Sequence, residues 1–195
     1  MAFVSATSAH PVDVADDARE RAGVPSFDEV YDAHVDFLWR SARALGVPPA
    51  SIDDVLQDVF VVVHRRLPEF EGRAAIRTWL ARILVRVIQE HRRRFRRKQD
   101  HAALPDDVVD ATSAGPHEEV ARAQAVRLLG EILSALSDEQ RTVFVLAEIE
   151  QMPVPEIATA LEINVNTVYS RLRLARREYE RHLARLRAKD EWRQP

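Results

Sequence analysis

The chain of 195 residues contains no cysteine, which excludes disulfides, thiolate metal sites and a cysteine nucleophile. Glycine is scarce, at five residues, and runs of alternating polarity are few, so little favours a sheet. No apolar stretch approaches the ~20 residues that cross a membrane as a helix. The amino terminus, MAFVSATSAHPVDVADD, lacks both the basic segment and the apolar core of a signal peptide. Phosphate-cradling glycine loops and nucleophile motifs are missing. The seven histidines (10, 34, 64, 91, 101, 117 and 182) are scattered without metal-ligand spacing. No cofactor, metal or catalytic residue is expected, and the composition points to an all-α cytoplasmic protein without enzymatic activity.

What is present is helical periodicity and an uneven distribution of charge. The formal net charge is only −3, yet Met1–Leu38 carries eight acids against two bases, and His64–Lys98 twelve bases against three glutamates. Gln99–Glu119 has six acids and no Lys or Arg, and Val165–Ala188 has seven arginines against two glutamates. Two basic blocks separated by an acidic connector suit two nucleic-acid contacts on one chain, although solvated helix faces would carry similar charge.

The chain divides accordingly. Residues 1–25 read as a disordered acidic arm. Ser26–Phe27–Asp28–Glu29 forms a capping box opening a helix that runs to about Leu45, ended by Gly46 and Pro48–Pro49. Ser51–Ile52–Asp53–Asp54 reads as a second capping box, for a helix reaching about Arg66. A loop over Leu67–Gly72 precedes a long helix from about Arg73 to Lys98. Residues 99–116 read as a flexible acidic linker whose roughly 18 residues could span on the order of 60 Å. Helices follow near 117–135, 138–150, 154–161 and 165–187, with a capping box at Ser137–Gln140, and 188–195 is a tail.

Residues 153–177, PVPEIATALEINVNTVYSRLRLARR, carry the sharpest signal. Ile157, Ala158 and Leu161 share one face of a short helix, Glu162–Ile163–Asn164 is a turn, and Asn164 caps the next helix. In that second helix Val165, Val168, Leu172 and Ala175 fall on one side. Asn166, Ser170, Arg173 and Arg177 fall on the other, flanked by Thr167 and Tyr169. A recognition helix needs this division, with one side anchored to its domain and amide, hydroxyl and guanidinium groups turned to base edges in the major groove.

Two earlier helices are also two-faced. Ile52, Val55, Leu56, Val59, Phe60 and Val63 form an apolar stripe. Asp54, Gln57, Asp58, Val61 and Arg65 lie opposite, a face suited to docking on a protein or simply to solvent. In the long helix Ile76, Trp79, Leu80, Ile83, Leu84, Val87 and His91 cluster together, beside a stripe of Arg82, Arg86, Gln89 and Arg93 that would neutralise phosphates. Trp79 sits at the edge of the apolar face, where it either fills core or stacks on an unpaired base.

The segments FDEVYDAHVDFLWRSARALG, IDDVLQDVFVVVHRRL, TWLARILVRVIQEHRRR and the stretch from Leu136 to Tyr179 with its TVYSR start resemble the extracytoplasmic-function (ECF) sigma factors of bacterial RNA polymerase. The resemblance covers about 26–98 and 117–180. It implies two small helical domains: residues 26–98 as sigma region 2 and residues 117–187 as sigma region 4. By the resemblance, Asp54, Gln57, Asp58 and Arg65 would bind the clamp helices of core polymerase. Phe70, Glu71, Gly72 and Arg73 would capture a flipped base of a single-stranded −10 element, with Trp79, Arg82, Arg86, Gln89 and Arg93 alongside. Asn166, Thr167, Tyr169, Ser170, Arg171 and Arg173 would read a double-stranded −35 element, and the same domain would contact the polymerase flap. An anti-sigma factor is an implied partner, and no membrane insertion is implied.

Three residues depart from the family pattern: Arg86 where an asparagine is frequent, Glu162 at the turn glycine, and Asn166 at a frequent glycine. The paucity of aromatics beside Trp79 and Phe95 implies a promoter-selective factor. The competing readings are a stand-alone helix-turn-helix regulator, which binds duplex DNA without polymerase, and a protein-interaction adaptor, for which the arginine stripe would be dispensable.

Overall fold

A computed structural model describes residues 25–99 and 117–191, and among them every regular element is helical. The arm (except Pro25) and almost all of the linker lie outside the described residues, as does the end of the tail. Helix α1 is Phe27–Ala44, α2 Ile52–Arg66, α3 Ile76–Gln99, α4 His117–Ser134, α5 Asp138–Phe144, α6 Val154–Leu161 and α7 Val165–Glu191.

Local chemistry accounts for most boundaries. The Ser26 hydroxyl accepts from the Glu29 amide at 3.3 Å while the Ser26 amide donates to Glu29 Oε2 at 2.7 Å, so the first capping box closes. Ser137 and Gln140 repeat the arrangement at the start of α5. Helix α1 ends where Gly46 adopts φ +86° and the Val47 amide returns to the Ala42 carbonyl at 3.1 Å.

The second expected capping box does not form. Pro49–Ser51 makes a 3₁₀ turn that runs straight into α2, so Ser51 is already in the right-handed helical region and its side chain caps nothing. An aspartate at the N3 position is also one methylene shorter than the glutamate the motif uses. The long helix begins at Ile76 rather than Arg73, because Gly72 turns through φ +67° and residues 72–74 form a bend.

Helix α3 is the centre of the molecule. Its Leu80, Ile83, Leu84 and Ile88 are buried against α1 and α2, where Leu38, Val55, Val59 and Val63 have essentially no exposure. Each such side chain contributes roughly 1.5–3 kcal/mol through removal from water. The opposite flank of α3 packs on α6, so Ala81 and Val85, which lie off the expected apolar face, are buried as well. Val143, Leu146, Ile157, Val168, Leu172 and Ala175 continue the core through α5, the turn that follows it, α6 and α7. After α5 the chain makes a π-helical turn, Val145–Ile149, which ends with Gln151 at φ +54°. This turn rotates Glu150 inward against α1 and α3.

Candidate nucleic-acid interface

Helices α6 and α7 form the expected helix-turn-helix. Pro153 and Pro155 stand at the start of α6. At its end Glu162 takes the left-handed conformation, φ 56° and ψ 41°, which a glycine adopts without a Cβ clash. Asn164 Oδ1 accepts from the Asn166 amide at 2.8 Å and opens α7. Val168, Leu172 and Ala175 are buried, whereas Asn166, Tyr169, Ser170, Arg173 and Arg177 are exposed. Thr167 and Arg171 are half-buried at the margins. Val165, placed on the apolar side by periodicity, is 38% exposed because it is the first residue of the helix, a turn ahead of the buried Val168.

At the other end of the chain, the loop after α2 and the start of α3 enclose a cleft of about 330 Å³, lined by Glu69, Phe70, Glu71, Arg73, Ala74, Thr78, Trp79 and Arg82 together with Thr159 of α6. Trp79 is half-buried with its ring 5.3 Å from that of Phe70, so it both packs on the core and lines the cleft. Gly72 is exposed and Arg73 pairs with Glu71. Gln89 and Arg93 are exposed on the outer face of α3, with Arg93 paired to Glu90 at 2.7 Å.

Arg82 and Arg86 do not face solvent freely. Arg82 donates to the Thr159 carbonyl at 2.6 Å and lies 3.4 Å from Glu162, and Arg86 pairs with Glu162 at 2.5 Å. Nearby, Thr78 donates to Glu156 at 2.7 Å, and Arg77 donates to Glu150 at 2.7 Å. Sequence reasoning missed these contacts. Periodicity describes single helices, and the only prior hint was a set of glutamates within the otherwise uncharged 148–162 segment.

Asp54, Gln57, Asp58, Val61 and Arg65 are all exposed on α2. Gln57, Val61 and Arg65 border an open apolar groove of about 790 Å³ between α1 and α2, whose walls include Tyr31, Val35, Trp39 and Phe60. Tyr31 and Trp39 are 43% and 40% exposed among the described residues, large aromatic surface for a helix face. Both were missed by reading α2 alone, since α1 supplies them.

Two groups among the described residues have a displaced proton affinity. Burial, with Arg77 nearby, holds the His34 imidazole below its ordinary range. Burial and Arg92 lower that of the Arg141 guanidinium, against an opposing contribution from Asp138.

Residues 30–98 match the family Sigma-70 region 2, and residues 127–178 match Sigma-70, region 4. The chain is 30% identical over 155 residues to RNA polymerase sigma factor NccH of Alcaligenes xylosoxydans xylosoxydans, covering 77% of this chain and 83% of that one. It is 34% identical over 165 residues to the RNA polymerase sigma-E factor of Streptomyces avermitilis, covering 84% of each. Among solved structures it is similar to CnrH in complex with the cytosolic domain of CnrY, with a TM-score of 0.62, 26% identity, and 88% and 94% of the two chains covered. The same fold occurs in the sigma factor RpoE of Bartonella quintana, solved with the anti-sigma factor NepR, at a TM-score of 0.67 and 19% identity over 81% of this chain and 96% of that one.

Proposed function

The chain belongs to the extracytoplasmic-function group of RNA polymerase sigma factors and is an alternative sigma factor directing transcription initiation, and from that premise we propose how its residues divide the task. Residues 117–187 read the −35 element in duplex form through Asn166, Thr167, Tyr169, Ser170, Arg171 and Arg173. Residues 26–98 dock on the clamp helices of core polymerase through Asp54, Gln57, Asp58 and Arg65. The same unit takes up the single-stranded −10 element with the loop Phe70–Glu71–Gly72–Arg73 and with Trp79, Arg82, Arg86, Gln89 and Arg93. The acidic linker of residues 99–116 joins the two. The protein works in the cytoplasm as a non-catalytic factor, with the polymerase supplying the chemistry.

The observation that carries the division is the two-sidedness of α7. Burial of Val168, Leu172 and Ala175 fixes the helix to α5 and α6, and leaves Asn166, Tyr169, Ser170 and Arg173 free to enter a major groove. For the −10 site the support is the Phe70–Trp79 cleft beside a basic helix, which offers an extruded base an aromatic surface and its phosphates a counter-charge. For the clamp contact it is the aromatic-walled groove with polar residues at its rim. A protein partner that controls availability is part of the proposal, because CnrH, at 26% identity, was solved with the cytosolic domain of CnrY.

The test is transcription in vitro from a genomic promoter library, with purified core polymerase, with and without the protein. New transcripts sharing one −35/−10 spacing, lost on changing Arg171 and Arg173 to alanine, are expected. Tight duplex binding by the protein alone with no added transcript would instead support the stand-alone regulator, a reading that the region 2 match over residues 30–98 disfavours.

A further inference from the structure

The carboxy-terminal half sets three glutamates along α3, on the flank proposed to meet promoter DNA. Glu150, Glu156 and Glu162 come from the end of the π-helical turn, the first turn of α6 and the end of α6. Their partners on α3 are Arg77, Thr78, and the pair Arg82 and Arg86. At 1.5 Å rise per residue, Arg77 to Arg86 spans roughly 14 Å. A row of separate oxyanions over that length is what a strand of phosphates would present to the same side chains.

The backbone is bent to hold this row. Among the described residues, the non-glycine positions with positive φ are Gln151, directly after Glu150, and Glu162 itself. A helix-turn-helix needs a left-handed residue at position 162, and glycine meets that need without strain. A glutamate there adds nothing to the turn, but its carboxylate engages both Arg82 and Arg86. Strain coinciding with an interdomain contact points to a role for the contact.

We infer that Glu150, Glu156 and Glu162 form an intramolecular phosphate-mimicking latch that masks Arg82, Arg86 and the Phe70–Trp79 cleft from DNA until the two domains separate. Thr159 of α6 walls one side of that cleft and binds Arg82 through its carbonyl, so the latch narrows the cleft as well as neutralising the stripe. Domain separation exposes both at once, and DNA phosphates compete directly with the three carboxylates. The inference deepens the promoter-contact reading of Arg82 and Arg86 and rests on it.

The native absence of cysteine makes the test direct. Exposed Ala33 in α1 and Ala135 before α5 are changed to cysteine in the full chain and labelled as a fluorescence-transfer pair. Transfer is compared between the parent, E162G and E150Q/E156Q/E162G, each checked for helicity. E162G substitutes the residue that suits the turn, so the hairpin is retained. Binding of a labelled random-sequence single-stranded DNA is measured on the same proteins.

The latch variants are expected to lose transfer and to bind the DNA about 5- to 100-fold more tightly, the usual range of an intramolecular coupling. Adding R82A/R86A should remove the gain. Unchanged transfer in the triple variant would overturn the latch. Lost transfer without tighter binding would overturn the mask and remove Arg82 and Arg86 from the promoter contacts, while the transcription assay above would report separately on the −35 reading.

Discussion

Arg77 and Glu150 stand 73 residues apart in sequence and meet at 2.7 Å, with the Glu150 side chain only 1% exposed. The same carboxylate oxygen lies 3.5 Å from Arg40, and the Arg77 guanidinium rests 4.6 Å from the centre of the Phe37 ring. A carboxylate removed from water depends on these cations, since desolvation disfavours its charged form unless partners replace the solvent.

Arg77→Ala therefore leaves Glu150 with only the longer Arg40 contact and costs about 1–3 kcal/mol. Glu150→Gln keeps an acceptor for Arg77 and costs less. Urea denaturation of the two variants checks the order, and equal losses would show that the pair contributes through packing rather than charge.

Two glycines with positive φ provide a second comparison. A Cβ on Gly72 would meet nothing within 4 Å, so Gly72→Ala carries only the backbone strain of the left-handed region, about 1–2 kcal/mol. A Cβ on Gly46 would run into the Arg141 guanidinium, which bonds the Leu133 carbonyl at 2.7 Å and the Ser134 carbonyl at 3.2 Å. Gly46→Ala should then cost about 2–4 kcal/mol, strain and overpacking together. Thermal unfolding measures the difference, and equal costs would mean that Arg141 yields freely.

The His34 pKa lies below its ordinary value of 6.5, through burial first and Arg77 second. A histidine with a lowered folded pKa is protonated first in the unfolded chain, so this contribution to stability is present above about pH 6.5 and declines as pH falls below it. His34→Gln should flatten the fall of the unfolding midpoint below about pH 6.5 relative to the parent. A parallel slope in both proteins would exclude His34 as its source.

Gln57→Ala and Arg65→Ala change exposed side chains, so stability should move by no more than about 0.5 kcal/mol. Affinity for core polymerase should fall by about 1–2 kcal/mol for the pair, roughly tenfold. Titration of labelled protein with core polymerase reads this directly, and unchanged affinity would shift the docking surface to the aromatic wall of Tyr31 and Trp39.

The helices, most of their ends and the two-sidedness of α7 were legible in the chain because each depends on local chemistry: the apolar period of α2 and α7, the Ser26 and Ser137 capping boxes, the Asn164 cap. Ser51 was misread for the same reason, since its residue types fit a cap while Pro48 and Pro49 imposed a 3₁₀ entry. What only the tertiary structure decided is which faces meet. The groove of Tyr31 and Trp39 needs two helices, the burial of Ala81 and Val85 needs α6, and the pairing of Glu150 and Glu162 with α3 joins residues more than 70 positions apart. Helical period and capping are set by neighbours within a few residues, whereas burial and charge pairing depend on distances in space that no local pattern encodes.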